Sequence, residues 1–254
     1  MLRVERTGTC AVWTIDRPEA KNALNIETLD MLTLAAEDAA KDRTLRAIVL
    51  TGAGHAFASG GDLRELREAR SAKDAERFAG IGADLCAKLE ALEVPVIAAI
   101  PGVAFGGGAE LALACDLRVC DMRAKISFKQ VRMGVTTAWG TIPRLVSLVG
   151  RGAAARLLYT AHEVSAAEAK VTGLVDEMAA DGTCVDIAIA WACDIAEGSP
   201  NAVAEMKALL RASPAASDLR ALERTRFVAT WTSPDHLEAM EAYFARRAPV
   251  WRQR

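Results

Sequence analysis

The chain of 254 residues carries 31 basic and 33 acidic side chains, a formal net charge of −2. With a pI of about 6.0 there is no electrostatic footprint for a nucleic-acid partner. A 52% hydrophobic and 25% charged composition excludes disorder. No apolar run nears the ~18 residues of a membrane span; the segment Val94–Ala99 is interrupted by Pro95, so no membrane partner is expected.

The start, MLRVERTGTC, has no apolar stretch of the kind a secretory leader needs, so secretion is not expected. Six cysteines, at 10, 86, 115, 120, 184 and 193, make no CxxC pair, and there are three histidines. No metal site is expected from such spacings. Cysteines set singly in apolar segments read as buried free thiols in a reducing compartment, with a cytoplasmic location as the expectation.

In chain order, Cys10–Asp16 is a strand candidate ending in an Asp-Arg-Pro turn. Ile26–Lys41 has helical spacing at Leu29, Leu32, Ala36 and Ala39. Arg46–Thr51 is a β-branched buried strand closed by Gly52. A glycine-containing loop and a charged stretch, Leu63–Arg70, precede a helix over about Lys73–Leu92. Pro95–Ile100 and Leu117–Cys120 are further strands. Strand–loop–helix units in succession predict an α/β fold with mostly parallel pairing. Beyond Arg151 the pattern is helical: Arg151–Ala161, Ser165–Val171, Val185–Ala196, Asn201–Arg211, Arg220–Thr230 and Asp235–Arg247. The last three need a surface to pack on, either a second domain or a subunit interface. This divides the chain into a core, 1–198, and a C-terminal helical region, 199–254.

Two segments share one design, a buried strand, then glycines, then a helix start. They are Phe57-Ala-Ser-Gly-Gly-Asp62 and Phe105-Gly-Gly-Gly-Ala-Glu110. Glycine permits unusual dihedrals and close approach to backbone N–H groups, and a helix start offers unpaired donors. Converging turns could place one amide each on a developing oxyanion; alternatively the glycines serve tight turns alone. Neither segment matches a P-loop or dinucleotide fingerprint. Glu110 lies three residues after Gly107, on the same side of a first helical turn. Its carboxylate is either catalytic or a favourable charge at a helix start.

These residues carry a resemblance. AFASGGDL and GVAFGGGAELALACDLRV, with RPEAKNALN near the start and AYFARRAP near the end, are similar to the enoyl-CoA hydratase/isomerase (crotonase) superfamily across essentially the whole chain. The resemblance implies a spiral of ββα units with a C-terminal helical region that forms a homotrimer or a dimer of trimers. It places the thioester oxygen on the Gly61 and Gly107 amides. Coenzyme A, part of the substrate and not a separate cofactor, would be lined by Lys21, Ala23, Leu24, Ala58, Gly60, Asp62 and Leu63. Phe244 and Arg246 would reach a neighbouring subunit's CoA.

Hydratases of this family hold one water between two glutamates. Glu110 matches the first, and the second position falls on Gln130, an amide that can orient water but cannot act as acid or base. The glycine-rich loop that follows in the family is here Thr136-Thr-Ala-Trp-Gly140. Three functions follow: a hydratase or dehydratase with one glutamate, a decarboxylase of a malonyl-type CoA ester, or a CoA-ester-binding paralogue without turnover. The stretch KISFKQVRMGVTTAWGTIPRLV is similar to the ethylmalonyl-CoA decarboxylase branch, whereas the family at large implies hydration, the reading adopted. His55, Lys129, Arg132 and Trp139 are further polar or bulky candidates near the site. His162 and His236 read as surface residues, and Met206 and Met240 as helix packing.

Overall fold

A hairpin opens the chain: β1 (Leu2–Thr7) and β2 (Cys10–Ile15) pair antiparallel around Gly8, whose φ is +60. In the computed structural model, which describes residues 1–67, 71–212 and 233–251, β2 begins a parallel series. It pairs with β3 (Ala47–Gly52), which pairs with β5 (Val96–Ile100), then β7 (Leu117–Asp121) and β10 (Glu177–Ala179). A second, smaller sheet sets β4 (Ala56–Ala58), β6 (Val103–Phe105) and β8 (Lys125–Ser127) in parallel, with β9 (Val164–Ser165) antiparallel at its edge.

The two sheets are laid down together. Each of β3, β5 and β7 is followed within a few residues by its partner in the small sheet, β4, β6 and β8. Helices complete the first two units: α2 (Leu63–Leu66) and α3 (Ala72–Ala91) after β4, and α4 (Gly107–Leu113) after β6. The resulting repeat is ββα.

Both faces of the central strands are covered, which is why they read as continuous apolar runs. Ile48, Leu50, Val96, Ala98 and Ile100 join a core with Leu29 and Leu32 of α1 (Ile26–Lys41) and Leu85 and Leu89 of α3. Their alternates, Ala47, Val49, Ile97 and Ala99, pack against Cys184, Ala188 and Ala192 of α7 (Cys184–Ala196). Five cysteines are buried as expected, but Cys193 is exposed. It follows Ala192 by one residue, about 100° around the helix from the face that meets the sheet.

Helix α1 matches its sequence pattern residue for residue, with the Asn25 side chain accepting from the Thr28 N–H as its cap. Helix α3 opens on a reciprocal Ser71–Asp74 capping box. Helix α5 (Thr141–Thr160) begins ten residues before the alanine-rich segment that periodicity marked. Pro143 is tolerated in its first turn, where no intrahelical N–H bond is required, and Gly150 (φ 76, ψ 160) breaks the helix into two parts. Only the second part carries an uninterrupted pattern.

The later helices are α6 (Ala166–Thr172), α8 (Pro200–Arg211) and α9 (Pro234–Ala245). The helix expected over Arg220–Thr230 lies outside the described residues. Met206 and Met240, expected to pack, are 62% and 45% exposed, because α8 and α9 turn other positions inward. Lys207 of α8 is one of these. Its ammonium is buried and donates to the Leu89 and Val94 carbonyls at 3.1 and 2.9 Å and to Asp116 Oδ2 at 2.7 Å. Burial pushes the Lys207 ammonium below its ordinary value, and Asp116 opposes that shift. The same Asp116 oxygen accepts the Val96 N–H at 2.7 Å, so one ion pair ties α8 to the end of α3 and the start of β5. Lys207→Ala leaves Asp116 without its countercharge and should cost about 3 kcal/mol, read as a lower urea midpoint at unchanged slope.

Candidate active site

Three parallel strands of the small sheet end side by side, and each delivers one part of the site. Strand β4 leads into Ser59-Gly60-Gly61, β6 into Gly106-Gly107 at the head of α4, and β8 into a 3-10 turn, Lys129–Met133, that carries Gln130. Pairing of Ala58 with Ala104 and of Phe105 with Ser127 sets their register. The Gly106 N–H extends it with a 2.9 Å bond to the Ser127 carbonyl.

The two glycine turns meet. Gly60 has φ +109, and a methyl group built on it would lie 3.1 Å from the Phe105 carbonyl and 3.7 Å from the Gly107 nitrogen. Gly108 comes closer still: any Cβ there would fall inside contact with the Ala58 carbonyl, so α4 lies directly on β4. Neither the Gly61 nor the Gly107 N–H has a hydrogen-bond acceptor among the described residues. Both are half-buried. Two unspent backbone donors at converging turns can bind one carbonyl oxygen and favour negative charge on it.

Glu110, in the first turn of α4, is 4% exposed. A buried carboxylate needs donors, and it has four. Oε1 accepts from the Ala138 N–H at 3.1 Å, the Trp139 N–H at 3.2 Å and the Thr141 hydroxyl at 2.6 Å. Oε2 accepts from Gln130 Nε2 at 2.8 Å. The other amide atom, Gln130 Oε1, is buried and has no partner among the described residues. An orphaned acceptor beside the less encumbered carboxylate oxygen is a place where a water or hydroxyl could donate. Burial pushes the nearby Cys86 thiol up to about 12, so it offers no thiolate.

The RPEAKNALN segment runs against the first glycine turn. Lys21 and Asn22 both have positive φ, 50 and 56. The fully buried Asn22 amide donates to the Ala53 and Ala56 carbonyls at 2.9 and 2.6 Å. The Ser59 N–H donates to the Lys21 carbonyl, the Leu24 N–H to that of Gly60, and the Asp62 N–H to that of Leu24. The side chains of Leu24 and Ala58 therefore sit in the core, where they hold the turn, and Ala23 is also buried. Lys21 and Leu63 are exposed at the surface of the turn. Asp62 caps α2 through the Arg64 N–H and pairs with Arg17 at 2.9 Å.

The remaining candidates are placed as follows. His55 is exposed on the turn before β4. Lys129 pairs with Glu163 at 2.7 Å and stands 4.8 Å over the Phe105 ring, and Arg132 donates to the Thr160 carbonyl. His162 pairs with Glu168 at 2.9 Å, and His236 is partly buried at the start of α9. Arg246 is exposed, with φ 53, just past α9. Phe244 lies in that helix, and its side chain is outside the described residues. Trp139 is buried at 2% exposure, against Gly107. Sequence reasoning missed Thr141 and the Ala138 and Trp139 amides, because no residue type marks a backbone donor. A visible signal was Gly82, an unexplained glycine inside a helix. A Cβ there would collide with the Trp139 indole.

Among the described residues no group of three or more His, Cys, Asp or Glu side chains could hold a metal ion, and no helix is long and apolar enough to cross a membrane. Fold and site together define a ββα-spiral protein in which the buried carboxylate of Glu110 stands near two backbone donors that have no acceptor among the described residues. The family model for enoyl-CoA hydratase/isomerase matches residues 5–254. The short-chain-enoyl-CoA hydratase of Clostridium acetobutylicum is 35% identical over 247 residues, covering 96% of this chain and 94% of that protein. The 2,3-dehydroadipyl-CoA hydratase of Escherichia coli is 32% identical over 256 residues, covering 100% and 99%. The crystal structure of an enoyl-CoA hydratase from Bacillus anthracis superposes with a TM-score of 0.96 at 29% identity, covering 100% and 99%. The chain belongs to the enoyl-CoA hydratase/isomerase family and has the crotonase fold.

Two outcomes test this geometry. Thr141→Val removes one donor from a charged acceptor at nearly constant shape and should cost about 1.5–3 kcal/mol of stability in urea unfolding. Asp62 supplies a pH signature. Burial alone would raise its carboxyl, but the Arg17 bond and the Arg64 N–H hold it below its ordinary 3.8. A depressed carboxyl lends stability above its unfolded value and loses it as pH falls through the folded one. The Tm difference between wild type and Asp62→Asn should therefore be present at about pH 6 and shrink toward zero near about pH 2.

Proposed function

We propose that this chain hydrates a short 2-enoyl-CoA thioester using one carboxylate. The observation that carries the reading is the pair formed by buried Glu110 and half-buried Gln130. One carboxylate oxygen is locked by three chain donors, and the other stands beside the orphaned amide oxygen. The thioester oxygen accepts from the Gly61 and Gly107 amides, which draws electron density from C3. A water donates one hydrogen bond to Gln130 Oε1, keeping that proton throughout, and points its other O–H at Glu110 Oε2, and its oxygen adds to C3. The C2=C3 electrons move to the thioester oxygen as an enolate, and Glu110 takes the proton. The enolate then collapses, and C2 takes the proton back from Glu110. Water is divided between C3 and C2 with no net change in the enzyme.

Removal of one oxyanion donor typically costs ~10²–10³ in rate, and loss of general acid–base help a further ~10²–10⁴. The relatives named as hydratases support hydration as the reaction class. The CoA moiety would run past the Arg17–Leu63 surface, with Lys21 and Leu63 as its exposed contacts. Assembly as a trimer or a dimer of trimers, bringing Phe244 and Arg246 to a neighbour's site, belongs to the same proposal.

Incubation of the purified chain with crotonyl-CoA should give a mass gain of one water. Glu110→Gln should lower kcat by about 10²–10⁴ with KM little changed. Gln130→Glu should raise kcat by restoring a second acid. Loss of CO₂ from ethylmalonyl-CoA with no hydration of crotonyl-CoA would replace this reading with decarboxylation.

A further inference from the structure

The faces of Gly61 and Gly107 that lack side chains are both covered by aromatic rings. A methyl group built on Gly107 would lie 2.8, 3.0 and 3.5 Å from the Cη2, Cζ3 and Cζ2 atoms of Trp139. One built on Gly61 would lie 3.0 Å from Phe78 Cζ and 2.8 Å from Leu66 Cδ1. The two rings touch, with centroids 5.7 Å apart and planes inclined at 52°, a favourable tilted contact. One apolar wall therefore runs from one candidate oxyanion donor to the other.

The Trp139 end of the wall is fixed by its own backbone. The Trp139 N–H is bonded to Glu110 Oε1, and its carbonyl accepts from Arg144. Arg144 is itself held by both oxygens of Glu90 on α3, at 2.6 and 2.7 Å. The indole then fills the place where residue 82 would carry a Cβ. Glycine in mid-helix costs about 1 kcal/mol in propensity, so α3 is shaped around this ring at some expense to itself.

We propose that Trp139, backed by Phe78, is the acyl-length determinant of this site and restricts it to short chains. The inference rests on the thioester reading above. With the carbonyl oxygen on the Gly61 and Gly107 amides and the reacting carbons beside Glu110, a chain extending further runs toward the residue whose own amide binds that carboxylate. A buried, close-packed ring leaves additional methylenes no space. Misfit of a methylene in an apolar pocket changes discrimination by roughly 10–200-fold.

The test measures binding rather than turnover, so that it is independent of which reaction occurs. Dissociation constants of butanoyl-CoA and decanoyl-CoA would be measured by calorimetry on wild type, Trp139→Ala and Phe78→Ala. Wild type should prefer butanoyl-CoA by at least roughly 10-fold, and Trp139→Ala should erase or reverse that preference. Wild type binding both equally, or a Trp139→Ala ratio within about two-fold of wild type, overturns the proposal. If Trp139→Ala does not fold, Phe78→Ala decides by the same ratio; its ring is only partly buried. Length selectivity that persists in a protein unable to hydrate crotonyl-CoA would sink the hydratase reading and leave this one standing.

Discussion

A carboxylate taken out of water demands hydrogen-bond donors, and much of the structure around Glu110 is arranged to meet that demand. Its Oε1 takes two consecutive amides and a hydroxyl from residues 138–141, which brings that loop onto α4 and sets where α5 begins. Arg144, one turn further on, reaches back to the Trp139 carbonyl and across to Glu90 on α3. The indole of Trp139 is thereby driven between α3 and α4, into space that Gly82 and Gly107 leave open. One buried carboxyl group thus links helix start, loop conformation and aromatic packing.

The donors on Oε1 also divide the labour of the carboxylate. With that oxygen saturated by the chain, Oε2 is the less encumbered one, and there Gln130 donates one bond and presents a carbonyl oxygen with no partner among the described residues. An amide can orient a water at that point without competing for its proton. A second glutamate would bring a second negative charge to a buried site and couple the two titrations. Gln130 brings no such charge and leaves Glu110 as the carboxyl group of this pair.

Much of the fold was legible because its cause is local. Helix α1 follows from an apolar stripe and an asparagine cap, and β3 and β5 follow from β-branched runs covered on both faces. The small sheet was not legible, since strands of two or three residues are shorter than any periodicity, and neither was β1, a mostly exposed edge strand without alternation. The start of α5 escaped notice for a related reason, because Pro143 and Gly150 interrupt the pattern within its first part. Cys193, Met206 and Met240 went to the surface because composition says which residues are apolar but not which side of a helix meets the core.

For the site, the amino-acid sequence by itself determined the family, the two glycine turns, Glu110, and the amide where a second acid was expected. Those are properties of residue type and order, and they survive without coordinates. Tertiary structure alone decided that the two turns meet, that the Gly61 and Gly107 N–H groups find no acceptor among the described residues, and that Glu110 is clamped by residues 138–141. It also decided that Phe78 and Trp139 wall both glycines. These are contacts between residues some 20 to 60 positions apart, and several are made by backbone groups that every residue possesses. No sequence pattern records them, because they come into being only when three strand ends of the small sheet are brought side by side.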